Sequence, residues 1–151
     1  MGKKQKGFSL IELLIVVAII LIIAAIAIPN LLRSKMAANE ASAVGSLRSL
    51  NTACVTYSTT YGSYPAGLSN LGPGSPATST TADLIDSVLA SGTKSGYTFT
   101  FTGGAGTTYS ITAIPVTVGT TGQRAFYTDQ SGVIRANTSG ASPTATDPPI
   151  S

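Results

Sequence analysis

Histidine is missing altogether from the 151 residues. Imidazole acid–base chemistry and imidazole metal sites are therefore excluded. Cysteine occurs once, at Cys54, so neither an intrachain disulfide nor a cysteine metal cluster can form. The acids are only Glu12, Glu40, Asp83, Asp86, Asp129 and Asp147, few for a two-carboxylate enzyme. No motif pairs a nucleophile with its base, and there is no Gly-rich phosphate loop or internal repeat. The expectation is a non-enzyme with no cofactor and no metal. Two further gaps matter below: no glycine lies between Gly7 and Gly45, and no aromatic between Phe8 and Tyr57.

What is present is lopsided. The chain is 43% hydrophobic and 10% charged, with mean hydropathy +0.31, a formal charge of +3 and a pI near 9.2. Lys3, Lys4 and Lys6 supply the excess. The other basic residues, Arg33, Lys35, Arg48, Lys94, Arg124 and Arg135, match the six acids in number. The basic pI therefore belongs to a short leading cluster, and no run of four basic residues marks a nucleic-acid groove. Such a cluster reads as the cytoplasmic flank of a membrane segment.

That segment is FSLIELLIVVAIILIIAAIAI, residues 8–28, with Glu12 as its single charge. As a helix it spans roughly 31 Å, about the thickness of a bilayer core. It is apolar on every face, and Pro29 follows where a helix bends or stops. A plain anchor fits, as does a secretory signal peptide cut at Ala25-Ile26-Ala27. Neither gives Glu12 a role. A carboxylate inside a membrane helix costs about 2.5–3.5 kcal/mol and calls for a partner.

The residues around it supply a third reading. Lys-Gln-Lys-Gly7 followed by Phe8-Ser9-Leu10-Ile11-Glu12-Leu13-Leu14 resembles the processing site of type IV prepilins and the related type II secretion pseudopilins. The resemblance runs from about Lys6 to Asn30. It implies cleavage after Gly7 by a prepilin peptidase on the cytoplasmic side and N-methylation of Phe8. Glu12 then becomes the fifth mature residue and Pro29 the twenty-second. It further implies that the new Phe8 amine meets Glu12 during assembly, opposite charges interacting strongly in an apolar medium. The implied partners are further copies in a helical filament, the inner membrane before assembly, the peptidase/methyltransferase, and an assembly platform with its ATPase. The implied product is an extracellular surface filament, with this chain as its major subunit. A secretion pseudopilin, a minor pilin, and a singly anchored β-domain binding module are the alternatives. One departure is Leu21, where relatives often carry glycine.

The rest reads as a polar domain. Val44, Leu47, Leu50, Cys54, Tyr57 and Tyr61 form a helical stripe, with Ser46, Arg48, Ser49 and Asn51 between them and Gly62 as the stop. Cys54 reads as a small core hydrophobe. Tyr57, Tyr61 and Tyr64 read as packing residues rather than an electron path. Residues 62–82 read as a long surface connection and Ala82–Ser91 as a short helix burying Leu84, Ile85, Val88 and Leu89. Four antiparallel strands follow: Tyr97–Thr102, Thr108–Ile114, Gln123–Thr128 and Val133–Ala136, with turns at Gly103–Gly106 and Asp129–Gly132. Asp129 reads as a turn residue rather than a calcium ligand, and Asn137-Thr138-Ser139 as a weak glycosylation match. The tail reads as poorly ordered. The expected fold is α+β: a long N-terminal hydrophobic helix against a roughly four-stranded antiparallel sheet. The expected parts are a leader 1–7, a hydrophobic helix 8–29, its amphipathic continuation 30–61, and the connection, short helix, meander and tail of 62–151.

Overall fold

The computed structural model describes residues 2–104 and 106–150. Its one long helix, α1, runs Leu10–Tyr61, 52 residues. Gly62 ends it: φ is 81° and its N–H donates to the Ser58 carbonyl at 2.8 Å, the left-handed cap that glycine adopts most easily. α1 continues through Pro29 into its amphipathic half, as expected. Pro29 lacks the N–H that would bond the Ala25 carbonyl, but one missing bond is bridged by the helical turns on either side.

The chain divides into two units, Met1–Ser34 and Lys35–Ser151. In the first, every side chain from Phe8 to Arg33 is exposed except half-buried Ala24. By length and composition this part of α1 is apolar enough to cross a membrane, and none of its most apolar window is buried.

The second unit is a meander on the second half of α1. Its strands are β1 (Thr93–Lys94), β2 (Tyr97–Thr102), β3 (Ser110–Pro115), β4 (Ala125–Asp129) and β5 (Ile134–Asn137), each antiparallel to the next. The sheet thus has five strands, not four. β1 pairs Thr93 with Thr98 and Lys94 with Tyr97, and two residues are too few to show a period-two pattern. Of the glycine turn between β2 and β3, Ala105 lies outside the described residues.

The core joins Leu47, Leu50, Cys54 and Tyr57 of α1 to Tyr97, Phe99, Ile111, Phe126 and Ile134 of the sheet. The helix stripe needs correcting: Val44 is half-buried and Tyr61 exposed, while Ala43, Ser46 and Ala53 are buried. Large apolar residues alone placed the stripe off its true centre. Ala43 and Ala53 lie within the core, and Ser46 lies beside Leu84, Ile85 and Leu89 of the connecting region.

The connecting region is also more structured than expected. A 3-10 turn at Leu68–Leu71 buries Leu68 and Leu71. Residues 82–85 are laced to it by backbone bonds, including Leu84 N–H to Leu71 O at 2.9 Å and Asp83 N–H to Gly72 O at 2.8 Å. Those bonds remove 82–85 from the expected helix. Only Ser87–Ala90 (α2) is helical, capped by Asp86, whose carboxylate accepts the Leu89 N–H at 2.8 Å. Ile85 and Leu89 are buried, Leu84 is half-buried and Val88 is exposed. The tail, too, is not a free end: Ala136 N–H donates to Pro148 O at 3.0 Å and Ile150 N–H to Ile134 O at 2.9 Å.

Candidate functional site

Residues 2–9 precede α1 without regular structure, and Lys3, Lys4 and Lys6 are exposed. Phe8 is 91% exposed. A Cβ added at Gly7 would meet nothing within 4 Å, so the chain's own packing makes no demand for glycine there. The Gly7–Phe8 bond lies in non-helical backbone, the form a peptidase can grip, immediately before the helix start.

Ser9 makes that start. Its carbonyl accepts the Leu13 N–H at 3.2 Å, and its hydroxyl accepts the Glu12 N–H at 3.2 Å. In return the Glu12 carboxylate Oε2 accepts the Ser9 N–H at 2.8 Å. This is a capping box, which satisfies two backbone donors that a helix start otherwise leaves orphaned. It also sets a negative charge at the positive end of the helix dipole. Ser9 went unread in the sequence, although Ser-x-x-Glu before an apolar run is a legible signature. Glu12 therefore has a structural partner before any assembly contact. Pro29 lies 17 positions on, inside the same exposed helix.

In the second unit, polar groups tie α1 to the sheet. Glu40 accepts the N–H groups of Gln123 and Arg124 at 3.0 and 3.1 Å, and the Arg124 guanidinium at 2.9 Å. Burial opposes its ionisation, but these donors outweigh burial and hold the Glu40 carboxyl below its ordinary range. Asn51 donates to the Thr128 hydroxyl at 2.9 Å and accepts the Tyr109 hydroxyl at 2.9 Å. It is half-buried, not a solvent-facing polar residue. Cys54 is fully buried, and burial pushes its thiol up to about 12, far from a reactive thiolate. Tyr57 and Tyr61 pack at 4.6 Å between ring centroids, and Tyr64 and Tyr109 at 4.7 Å. Asp129 accepts the Ser131 N–H at 2.9 Å, and Asp147 the Thr144 N–H at 2.7 Å. Both carboxylates are occupied in local turns. Sequence reasoning had no route to Glu40 or Asn51, since their partners are 58 to 84 positions away.

Residues 2–28 match the sequence model of the prokaryotic N-terminal methylation motif. Over this N-terminal stretch the chain is similar to type IV pilins and type II secretion pseudopilins. Relatives fall in both branches. It is 60% identical over 38 residues to the type IV wide pilus major component PilA4 of Thermus thermophilus, covering 25% of this chain and 29% of that protein. It is 50% identical over 50 residues to the type IV major pilin protein PilA of Myxococcus xanthus, 33% of this chain and 23% of that one. It is 34% identical over 65 residues to type II secretion system core protein G of Pectobacterium carotovorum, 43% of this chain and 42% of that one. The matched stretch is thus less than half the length of each of these relatives. Within the pilin frame, the structure brings Gly7, Phe8, Ser9 and Glu12 together at one helix start and leaves Pro29 apart from them.

Proposed function

We propose that this chain is a structural subunit, the major pilin, of a type IV pilus. It enters the inner membrane as a prepilin through residues 8–28, with Lys3, Lys4 and Lys6 on the cytoplasmic side and the polar domain outside. Prepilin peptidase cuts the Gly7–Phe8 bond and N-methylates Phe8. The assembly platform and its ATPase then move the helix from lipid into a helical filament of identical copies, displayed on the cell surface.

The observation that carries this reading is the apolar first part of α1, residues 10–28, exposed but for half-buried Ala24, whose only acid sits in its first turn beside a non-helical Gly7–Phe8 bond. Such a helix exchanges one apolar surrounding for another, so packing and polar contacts rather than the hydrophobic effect must favour the filament. Gly7 answers to the peptidase, since nothing in its own chain crowds it. Glu12 answers to the Phe8 amine of a neighbouring subunit, which fixes axial register because only one stagger satisfies both charges. Pro29 leaves the Ala25 carbonyl without its helical donor, a weak point at which the helix can yield during packing.

The test is mass spectrometry of filaments sheared from the cell surface. A mature chain beginning at N-methyl-Phe8 is expected. A chain that retains Gly2, or one that begins at Ile28, overturns the reading.

A second reading, a type II secretion pseudopilin, is favoured by one observation: the match to core protein G extends further along this chain than either pilus match. It predicts the same N-methyl-Phe8 terminus on protein retained in the cell envelope, none in sheared surface filaments, and loss of protein secretion on deletion.

A further inference from the structure

The sheet has two outer edges, and both are blunted. At one, β1 is two residues long and its Lys94 is paired with Asp86 at 2.9 Å. At the other, the free side of β5 is occupied by the tail, with Arg135 paired antiparallel to Pro149 between the two backbone bonds of Pro148 and Ile150. The tail is anchored on both sides of this pairing. Before it, the Asp147 carboxylate accepts the Thr144 N–H at 2.7 Å and the Asn137 amide at 3.3 Å, and the Asp147 carbonyl accepts the Arg135 guanidinium at 2.9 Å. After it, Ile150 is half-buried against the core. Backbone groups on a strand alternate sides. Pro148 and Ile150 bond inward, so Pro149 faces outward, and proline carries no N–H. The outermost position offers an approaching strand no donor.

We infer that Asp147–Ile150 is an edge guard, a built-in strand that keeps β5 from pairing with β5 of a second copy. An unguarded edge is a template for association. Copies of one β5 edge are self-complementary about a two-fold axis. The guard leaves the N-terminal helix as the surface through which copies meet.

The test uses the full chain in dodecylmaltoside micelles, with sedimentation velocity for self-association and hydrogen exchange for the Ala136 amide. Two variants are compared with the intact protein: a chain ending at Thr146, which bares β5, and Pro149→Thr, which keeps the guard but gives it an outward N–H. The shortened chain should associate about tenfold more tightly, the effect of one or two net backbone hydrogen bonds. Pro149→Thr should shift in the same direction by less. In the intact chain the Ala136 amide should be protected. A shortened chain that keeps its near-UV circular dichroism yet associates no more than the intact one overturns the inference, as does an unprotected Ala136 amide in the intact chain. Should shortening unfold the domain, Pro149→Thr decides alone: tighter association supports the guard, and unchanged association refutes it.

Discussion

Glu12 has two candidate jobs, capping α1 and pairing with an amine, and glutamine separates them. Glu12→Gln keeps an oxygen that can accept the Ser9 N–H, since glutamine serves as well as glutamate at this place in a capping box. It removes the charge. Glu12→Ala removes both. The cap is worth about 1 kcal/mol, small against a helix of 52 residues, so neither variant should unfold α1. An amine and a carboxylate about 4 Å apart attract by about 4 kcal/mol at an effective dielectric near 20. Desolvation takes back part of that, so the expected loss of filament is at least about tenfold. Membrane insertion moves the other way, because removing the acid relieves roughly 2.5–3.5 kcal/mol. Glu12→Gln should therefore insert at least as well as the native chain yet yield few sheared filaments, matching Glu12→Ala. Immunoblots of sheared and membrane fractions read both quantities. Normal filament yield from Glu12→Gln beside a defect in Glu12→Ala would mean that capping is the whole role. Normal yield from both would remove Glu12 from assembly.

Four other outcomes are expected. Asn51→Ala leaves the Tyr109 and Thr128 hydroxyls without their partner and should cost roughly 2–3 kcal/mol in chemical denaturation; a change under about 0.5 kcal/mol would mean that water replaces it. The folded-state depression of the Glu40 carboxyl makes its contribution fully present above the ordinary carboxylate pKa of about 4.3 and lost as pH falls through its lower folded value; Glu40→Gln should flatten the acid limb of a stability–pH curve, and an unchanged limb refutes the assignment. Cys54 should resist a thiol reagent at pH 8 in the native protein and react once unfolded, whereas rapid native labelling would contradict its burial. Gly45 sits in helix where an added Cβ meets nothing, so Gly45→Ala should stabilise the unit by about 0.5–1 kcal/mol in thermal denaturation, and destabilisation would place an unseen neighbour there.

Periodicity made the long helix and most of the meander legible. Tyr97, Phe99 and Phe101 alternate with threonines and form β2 as expected; Gly62 stops α1 where a left-handed glycine should. Failures came where a long-range bond overrides local preference. Leu84 and Ile85 have helical spacing with Val88 and Leu89, yet their backbone N–H groups go to Leu71, so the helix shrinks to one turn. Ser46 and Asn51 looked solvent-facing because they are polar; Ser46 is buried beside Leu84 and Leu89, and Asn51 joins the Tyr109 and Thr128 hydroxyls. The tail looked loose because Pro, Ser and Thr dominate it, but two backbone bonds and the Asp147 carboxylate hold it to β5. At the N-terminal site the proposed chemistry is local, from Gly7 to Glu12, and the pairing of Ser9 with Glu12 was also legible there as Ser-x-x-Glu before an apolar run.

That partnership bears on how the proposed cleavage prepares a subunit to polymerise. Before cleavage, residue 8 has an ordinary amide and the nearby cations are Lys3, Lys4 and Lys6. Cutting after Gly7 discards all three and creates one amine, one position ahead of the helix cap. A cation there faces the positive end of the helix dipole, which disfavours it, and an apolar surrounding disfavours it further. It needs a carboxylate, and from Phe8 to Asn39 the sequence offers only Glu12. Within the same chain, Oε2 of Glu12 is already bonded to the Ser9 N–H. The second carboxylate oxygen takes no part in the cap in any copy, so it can accept an amine, its own or a neighbour's, while the cap stays closed. The capping box thus holds one carboxylate oxygen at the helix start and leaves the other for an amine, so a local helix-start motif presents the acceptor that the proposed assembly contact uses.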